Sequence, residues 1–268
     1  MLELEHGFRV VDTHVVLEPD ETRRPRGMGD AEQIEREMEQ AGIVQSLVFP
    51  GIRDGSYVKA NNATARMAVN RPFRPLARIN GAREPGQGAT SRLRNLASSR
   101  SEAHTSPADI EQYAYEDRFF GFVVDPAADG MPDEEILDEL ESAGLPVITY
   151  GGEGCPPSVI EESLLQYDFP LIIAHHGGYP SNEQMMDEAI DMLDRYENCF
   201  LDTSFVRLRD PLERALMEHP SQVVFGSGAP GVHPNVAVME ILTLDVPEDA
   251  MRKVFSKNAS RLYEVLAP

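Results

Sequence analysis

The sequence predicts an α/β fold, a single (β/α)8 barrel that spans residues 1–268 as one domain. Eight short apolar runs alternate with segments of helical spacing, which predicts eight strands that are each followed by a helix. Most runs are continuously apolar, as expected for parallel strands that are covered on both faces. The 268 residues also suit one barrel, since such barrels have about 250. The alternative is an open doubly wound sheet of seven or eight units.

The first four units come from the N-terminal half of the chain. The first helix has a clear apolar face, on which Ile34, Met38 and Ala41 recur at helical spacing, and Gly42 marks its end. The strands are predicted at 8–16, 43–49, 73–79 and 119–125, and the helices at 30–43, 57–70, 108–118 and 132–143.

An irregular stretch rich in arginine, glycine and serine follows the third strand. Residues 83–106 hold four arginines and two glutamates, a local excess of positive charge on an acidic chain. As a loop after a barrel strand, this stretch either covers the mouth and attracts an anionic substrate or is an ordinary solvated loop. Both interpretations stay open.

The last four units complete the predicted barrel. Apolar runs again alternate with helical segments, and two consecutive helices close the chain. The strands are predicted at 145–150, 169–175, 198–204 and 222–227, and the helices at 156–166, 183–196, 210–218, 234–243 and 247–265.

The charge balance excludes several classes of protein. The chain has 24 basic and 45 acidic residues, a net charge of −21, and its only lysines are Lys59, Lys253 and Lys257. Such a surface repels the phosphates of nucleic acids, so no nucleic-acid partner is expected. No apolar run approaches the roughly 18 residues that span a bilayer, so no membrane association is expected either. The acidic N-terminus MLELEHGFRVVD lacks the pattern of a signal peptide, and two cysteines are too few for a disulfide scaffold. We therefore predict a cytoplasmic protein.

The scarcity of lysine favours adaptation to a high-salt cytoplasm over an ordinary acidic surface, and it leads to a first testable prediction. Crowded carboxylates repel one another until counter-ions screen them, and the Debye length falls to about 3 Å at 1 M salt. The melting temperature should therefore rise between low and molar KCl when it is followed by circular dichroism. A melting temperature that stays constant or falls would contradict the halophilic interpretation.

Polar residues stand at the predicted C-terminal ends of the strands, where barrel enzymes build their active sites. Among them, His175 is the candidate that polarises or protonates a substrate, Asp125 or Asp202 is the candidate base, and Tyr150 is a candidate proton donor. Asn80, after the third strand, is the candidate substrate-binding residue. His176 should face away from His175, and its expected role is packing.

Eight motifs follow one another along the chain, one in each predicted unit. The first is VVDTHVV, and the second and third units contain EMEQAGIVQSLVFPG and NNATARMAVNRPFRPLARIN. FFGFVVDP and LPVITYGGEG mark the fourth and fifth units, and LIIAHHGG, FLDTS and VVFGSGAP mark the sixth to eighth. In this order the motifs resemble those of the amidohydrolase superfamily, which opens with D-x-H-x-H, in the amidohydrolase-related branch that includes decarboxylases and lactone hydrolases. The resemblance covers nearly the whole chain.

The resemblance implies a divalent metal, usually zinc, but the ligand positions depart from the family pattern. The family holds its metal through both histidines of D-x-H-x-H, a histidine that ends strand five and an aspartate after strand eight. Only His14 matches, because the other three positions are Val16, Tyr150 and Gly228. A catalytic zinc needs about three protein ligands, so the conventional site is expected to be lost. Restoring histidine at 16 and 150 and aspartate at 228 should create metal affinity.

Two kinds of site remain possible on these residues. A relocated metal could use His14, Asp125, His175 and Asp202, or a metal-free histidine–aspartate pair could work with Tyr150 as donor. The first functional hypothesis is a hydrolase or decarboxylase-like enzyme that acts on a small carboxylated substrate at the barrel mouth. The second is an inactive family member that serves as a binding or assembly subunit. The chain could form a homo-oligomer in either case.

Overall fold

A computed structural model describes residues 5–19, 29–51, 55–86, 95, 101–115 and 118–268. The third predicted strand is interrupted at Leu76, so that nine strands occupy the eight predicted places. They lie at Val10–Leu17 (β1), Ile43–Pro50 (β2), Phe73–Pro75 (β3), Ala77–Ile79 (β4), Phe122–Val124 (β5), Val147–Gly152 (β6), Leu171–Tyr179 (β7), Cys199–Asp202 (β8) and Val223–Val224 (β9).

The strands pair in parallel as two ladders, β1-β2-β3 and β4 through β9 in chain order. Backbone hydrogen bonds outside the ladders connect them at both ends. The Leu76 N–H donates to the Val48 carbonyl over 2.8 Å, and the Thr13 N–H donates to the Phe225 carbonyl over 2.8 Å. The strand order is that of a (β/α)8 barrel whose ladder is interrupted at two places. The predicted fold class is confirmed.

Helices follow the strands and lie outside them. Their ends follow ordinary rules: the Asp30 side chain accepts hydrogen bonds from the first-turn N–H groups of Glu32 and Gln33, and Gly144 ends a helix in the left-handed conformation, with φ 64°. The helices of the described residues are Ala31–Gln40 (α1), Tyr57–Ala68 (α2), Pro107–Tyr115 (α3), Pro126–Asp129 (α4), Glu134–Ala143 (α5), Pro157–Ser163 (α6), Glu183–Met192 (α7), Arg209–Glu218 (α8), Pro234–Leu242 (α9), Glu248–Arg252 (α10) and Asn258–Leu262 (α11).

Several strands and helices are shorter than predicted, and three predicted segments differ in other ways. The helix predicted at 132–143 is preceded by the separate helix α4, because Gly130 ends α4 with φ 86° and Asp133 caps α5. The last predicted helix is interrupted by a π-helical turn at Lys253–Lys257. The strand predicted at 169–175 extends to Tyr179. The assignment of one domain to residues 1–268 stays a prediction.

Parts of the arginine-rich stretch lie outside the described residues, namely 87–94 and 96–100, so that both interpretations of it remain predictions. Arg83 is described, and it pairs with Glu134 over 3.5 Å. No helix of the described part of the chain is both long and apolar enough to cross a membrane.

The core has two parts because alternate residues of each strand face opposite sides of the sheet. On β7, Leu171 and Ile173 pack outward against the helices, whereas Ile172 belongs to a smaller cluster inside the barrel. Ala259 and Tyr263, near the C-terminus, join that inner cluster. The inner apolar cluster fills the barrel below the polar residues that lie at the C-terminal ends of its strands.

Candidate active site

The inward-facing positions change from apolar to polar toward the C-terminal ends of the strands. Two residues beyond the inner-cluster side chains Leu76, Val123, Ile148 and Phe200, the same alternation places four polar side chains on the inside of the barrel. These are Arg78, Asp125, Tyr150 and Asp202. The sequence alternation therefore concentrates polar groups at the end of the barrel where function is expected.

A cavity of about 650 Å³ opens at this end of the barrel. Four predicted site residues line it together with residues of the loops that follow the strands. Those four are His14, Asp125, Tyr150 and His175, and the other lining residues include Val16, Tyr179, Phe205, Gly228 and Gly231. The structure thus brings together the residues at the ends of strands that are far apart in sequence.

Asp202 lies behind His14 and orients its ring. The Asp202 carboxylate accepts a hydrogen bond from His14 Nδ1 over 2.8 Å, and both side chains are fully buried. A carboxylate can only accept, so the proton of a neutral His14 is on Nδ1 and its Nε2 is an acceptor.

Tyr150 completes a chain of three groups. Its hydroxyl lies 3.1 Å from His14 Nε2, and it donates its proton there when His14 is neutral. Burial raises the pKa of the Tyr150 hydroxyl, although the nearby Arg78 cation opposes this effect. Tyr150 therefore keeps its proton in the resting protein. Asp202, His14 and Tyr150 form a continuous hydrogen-bonded relay that leads to the cavity.

Asp202 is held as a carboxylate by its neighbours. Burial opposes its ionisation, but the His14 ring and several hydrogen bonds outweigh burial and hold its pKa below the ordinary value. Its Oδ1 accepts from the His175 N–H over 2.8 Å and from the Ser204 hydroxyl over 2.6 Å. With both oxygens engaged, Asp202 positions other groups and does not reach a substrate.

Asp12 has a similar supporting position at the junction of the first and last strands. Its Oδ1 accepts from the backbone N–H groups of His14, over 3.0 Å, and of Ser227, over 2.9 Å. Burial raises the pKa of Asp12 to about 6, since hydrogen bonds compensate only in part. This carboxyl fixes the backbone that presents His14.

His175 carries unused hydrogen-bonding capacity. Both of its ring nitrogens are buried and have no hydrogen-bond partner in the structure, although the residue lines the cavity. Burial and the neighbouring His14 lower the pKa of His175 to about 3. A neutral imidazole offers one donor and one acceptor, so His175 is suited to bind a polar atom of a ligand.

The backbone of β7 is strained at the point where it presents this ring. His175 has φ 60° and His176 has φ 49°, in the left-handed region that residues other than glycine rarely adopt. His176 is not among the described residues that line the cavity, and its Nδ1 donates a hydrogen bond to the Asp202 carbonyl. Its packing role stays a prediction. Such strain often occurs at functional sites.

Beside the relay lies a buried ion cluster that the sequence did not predict. Arg78 donates to Asp129 over 2.6 Å and to Asp125 over 3.0 Å, and the Tyr57 hydroxyl donates to Asp129 over 2.6 Å. The Arg78 guanidinium also lies 5.9 Å from the ring centre of Tyr150. Asp125 is therefore engaged in an ion pair at the cavity wall.

Asn80 has a different position. Its side-chain amide donates to the Ala103 carbonyl over 2.6 Å, and Asn80 is not among the described residues that line the cavity. Sequence reasoning instead missed Ser204, Phe205 and Arg78. Arg78 had a signal, since a charged residue interrupts the apolar run 73–79, and Ser204 and Phe205 directly follow the predicted seventh-strand end.

The side chains do not fit the metal that the resemblance implies. Val16 and Gly228 supply no ligand atom, and both ring nitrogens of His14 are engaged in hydrogen bonds. In the described part of the chain, no three His, Cys, Asp or Glu side chains are arranged to hold a metal ion. The donor set suits acid–base chemistry instead of metal coordination.

The buried His175 leads to a prediction about acid stability. Its pKa is about 3 in the folded chain and about 6.5 in the unfolded chain, so the unfolded chain binds more protons between these values. The contribution of the neutral His175 to the free energy of unfolding is complete above pH 6.5, and below it this contribution falls by about 1.4 kcal/mol per pH unit. His175→Gln should reduce this slope when the free energy of unfolding is measured by urea titration between pH 7 and pH 5. Parallel slopes for the two proteins would contradict the assignment.

Comparison with known proteins identifies relatives of this architecture. The family model described as Amidohydrolase matches residues 11–265. No curated protein matches the chain by sequence. An uncharacterised TIM-barrel protein from Bordetella bronchiseptica is 20% identical and has a TM-score of 0.67, with 95% of this chain and 98% of that chain covered.

Two further solved structures have named activities. The 5-carboxyvanillate decarboxylase of Sphingomonas paucimobilis is 15% identical, with a TM-score of 0.65 and 96% and 99% of the two chains covered. A probable 2-pyrone-4,6-dicarboxylic acid hydrolase from Acinetobacter baumannii, with citric acid bound, is 13% identical, with a TM-score of 0.61 and 96% and 100% covered. At these identities, the likeness establishes the fold alone.

Proposed function

This chain belongs to the amidohydrolase family, and from that membership and the relay at its cavity we propose a hydrolase or decarboxylase-type enzyme that acts on a small carboxylated substrate. The observation that carries the proposal is the buried chain from Asp202 through His14 to Tyr150. The carboxylated substrate class is taken from the related barrels, which include a carboxyvanillate decarboxylase and a pyrone dicarboxylic acid hydrolase.

In the proposed reaction, Tyr150 is the general acid. The reactive form carries a second proton on His14 Nε2, taken from water in the cavity, so the Tyr150 oxygen accepts from His14 and the hydroxyl proton of Tyr150 faces the substrate. The hydroxyl gives that proton to the substrate carbon that bears the carboxylate, and the Nε2 proton of His14 passes to the tyrosinate. The bond from that carbon to the carboxylate breaks, its electron pair stays with the carbon framework, and carbon dioxide leaves. Asp202 stabilises the protonated form of His14 and fixes its orientation, so it is a positioning residue.

Decarboxylation fits these residues better than hydrolysis. Hydrolysis needs a base that removes a proton from water. The resemblance implies an aspartate for this role, but its position is occupied by Gly228 in this chain. Asp202 is enclosed and Asp125 is paired with Arg78, so neither is free to take that proton. His175, with two unpartnered ring nitrogens, is the proposed contact for a polar atom of the substrate.

The proposal is tested with a panel of cyclic carboxylates and purified protein. We expect 5-carboxyvanillate, 2,6-dihydroxybenzoate or a related compound to lose carbon dioxide when the reaction is followed by NMR. The expected activity persists after treatment with EDTA and does not increase with added zinc. Activity that requires zinc would show that the ligands are relocated, and the absence of any turnover would favour the second function.

That second function is a binding or assembly subunit that has lost catalysis. The specific observation in its favour is the replacement of three implied metal ligands by Val16, Tyr150 and Gly228. Copurification from a cytoplasmic extract at high salt, followed by analysis of the complex, tests it. A stable partner together with inactivity across the panel would support this function over the enzyme.

A further inference from the structure

Phe205 fits against two glycines at the rim of the cavity. A Cβ atom placed on Gly228 would lie 2.5 Å from Phe205 Cε2, and one placed on Gly231 would lie 2.6 Å from Phe205 Cζ. Real Cβ atoms do not approach ring carbons so closely, so both positions must lack a side chain while Phe205 keeps its place. The ring thus occupies the space that a side chain of residue 228 would need.

The backbone of Phe205 is itself held in a strained conformation. Its φ is 57°, and two of the other non-glycine residues with positive φ, His175 and His176, are consecutive residues of β7. The His175 ring contacts the Phe205 ring. Each such residue costs free energy that the surrounding structure must offset. Two of these three residues, Phe205 and His175, line the cavity, which indicates that the position of this ring is maintained for function.

The ring also forms one wall of the cavity together with other aromatic side chains. The Phe205 and His175 ring centres are 5.2 Å apart in an edge-to-face arrangement, and Tyr179 lies 6.2 Å from Phe205. His175 in turn lies edge-to-face to Tyr150 at 5.1 Å. The relay therefore ends in a cavity that is lined in part by the aromatic rings of His175, Tyr179 and Phe205.

We propose that Phe205 is a specificity-determining residue, whose ring, fixed over Gly228 and Gly231, forms an apolar wall that takes the flat, uncharged part of the ligand and excludes a side chain from position 228. The inference rests on the proposed function in one respect, namely that the ligand carries a carboxylate. It has a second consequence for the metal. Restoring ligands at 16, 150 and 228 is not enough, because an aspartate at 228 meets the Phe205 ring.

The first test separates the ring contact from backbone strain. Gly228→Ala introduces a Cβ atom beside Phe205 at a residue with φ 74°. The control Gly144→Ala introduces a Cβ atom at a similar φ of 64°, but no other atom lies within 4 Å of that Cβ. We expect Gly228→Ala to lower the melting temperature further than this control does. Adding Phe205→Leu should remove that excess. Equal losses for the two alanine variants would overturn the proposed contact.

The second test measures ligand choice without turnover, using benzoate and cyclohexanecarboxylate in calorimetric titrations. The intact protein should bind benzoate more tightly than cyclohexanecarboxylate. Phe205→Leu should weaken the binding of benzoate by about tenfold and abolish the preference for it. The control is Tyr115→Leu, which removes an exposed aromatic ring of the protein surface and should preserve the preference for benzoate. Absence of benzoate binding, or a preference that survives Phe205→Leu, would overturn the proposal. If the preference depends on Phe205 but the panel shows no turnover, only the proposed catalysis fails.

The third test uses zinc as the probe. The triple variant Val16→His, Tyr150→His and Gly228→Asp is compared with the same variant that also carries Phe205→Ala. We expect zinc affinity at least about tenfold higher with the fourth change, since the added carboxylate then has room to turn inward. Equal zinc affinity in both variants would show that Phe205 does not obstruct position 228.

Discussion

Replacing Tyr150 with phenylalanine is expected to lower kcat by about 10²- to 10⁴-fold, the usual contribution of a positioned general acid. The change removes one hydroxyl, so the cavity keeps its shape and KM should change little. His14 Nε2 then loses its partner, and the relay from Asp202 ends before the substrate. Steady-state kinetics on the compound of the panel that reacts fastest gives both constants.

The control for this prediction is a second buried tyrosine. Tyr113 accepts a hydrogen bond at its hydroxyl from Asn61 over 3.4 Å, and it is not among the described residues that line the cavity. Tyr113→Phe should therefore leave kcat near that of the unmodified protein. If Tyr150→Phe retains full kcat as well, Tyr150 is not the proton donor and another group must be sought.

Replacing Arg78 with methionine is expected to lower the free energy of unfolding by about 3–5 kcal/mol, the usual cost of breaking a buried ion pair. Arg78 donates to Asp129, to Asp125 and to the Pro50 carbonyl, and its side chain is almost fully buried. Without the guanidinium, two carboxylates remain at low solvent exposure with no cation. Urea denaturation at constant KCl measures the loss.

Arg214 is a matched control because its guanidinium also makes three polar contacts, with the carboxylates of Asp187, Asp191 and Glu218, but at the surface. Its side chain is 34% exposed, and exposed ion pairs contribute roughly 0–1 kcal/mol. Arg214→Met should therefore destabilise the protein far less than Arg78→Met. Comparable losses for both arginines would mean that burial does not govern the Arg78 cluster.

A second variant separates lost pairing from lost packing. Adding Asp125→Asn and Asp129→Asn to Arg78→Met removes the carboxylate charges that the methionine leaves unpaired. Because most of the expected cost is an uncompensated buried charge, the triple variant should recover a large part of the stability. If it is no more stable than Arg78→Met, the aliphatic stem and the ring contact with Tyr150 account for the effect.

The sequence by itself determined the architecture. Eight continuous apolar runs separated by helical segments predicted the parallel barrel, because strands covered on both faces must be apolar throughout. The same runs placed His14, Asp125, Tyr150, His175 and Asp202 at strand ends, and position along a strand decides which end of a barrel a residue occupies.

The tertiary structure alone decided which partners these residues contact. Asp202 and His14 are 188 residues apart, and only the closing of the barrel puts them 2.8 Å apart, so no local pattern shows that one orients the other. Phe205 and Gly228 meet for the same reason, since their contact depends on two neighbouring strand ends and on a backbone conformation that propensity does not predict. Roles depend on partners, and partners are set by distances in space that sequence spacing does not contain.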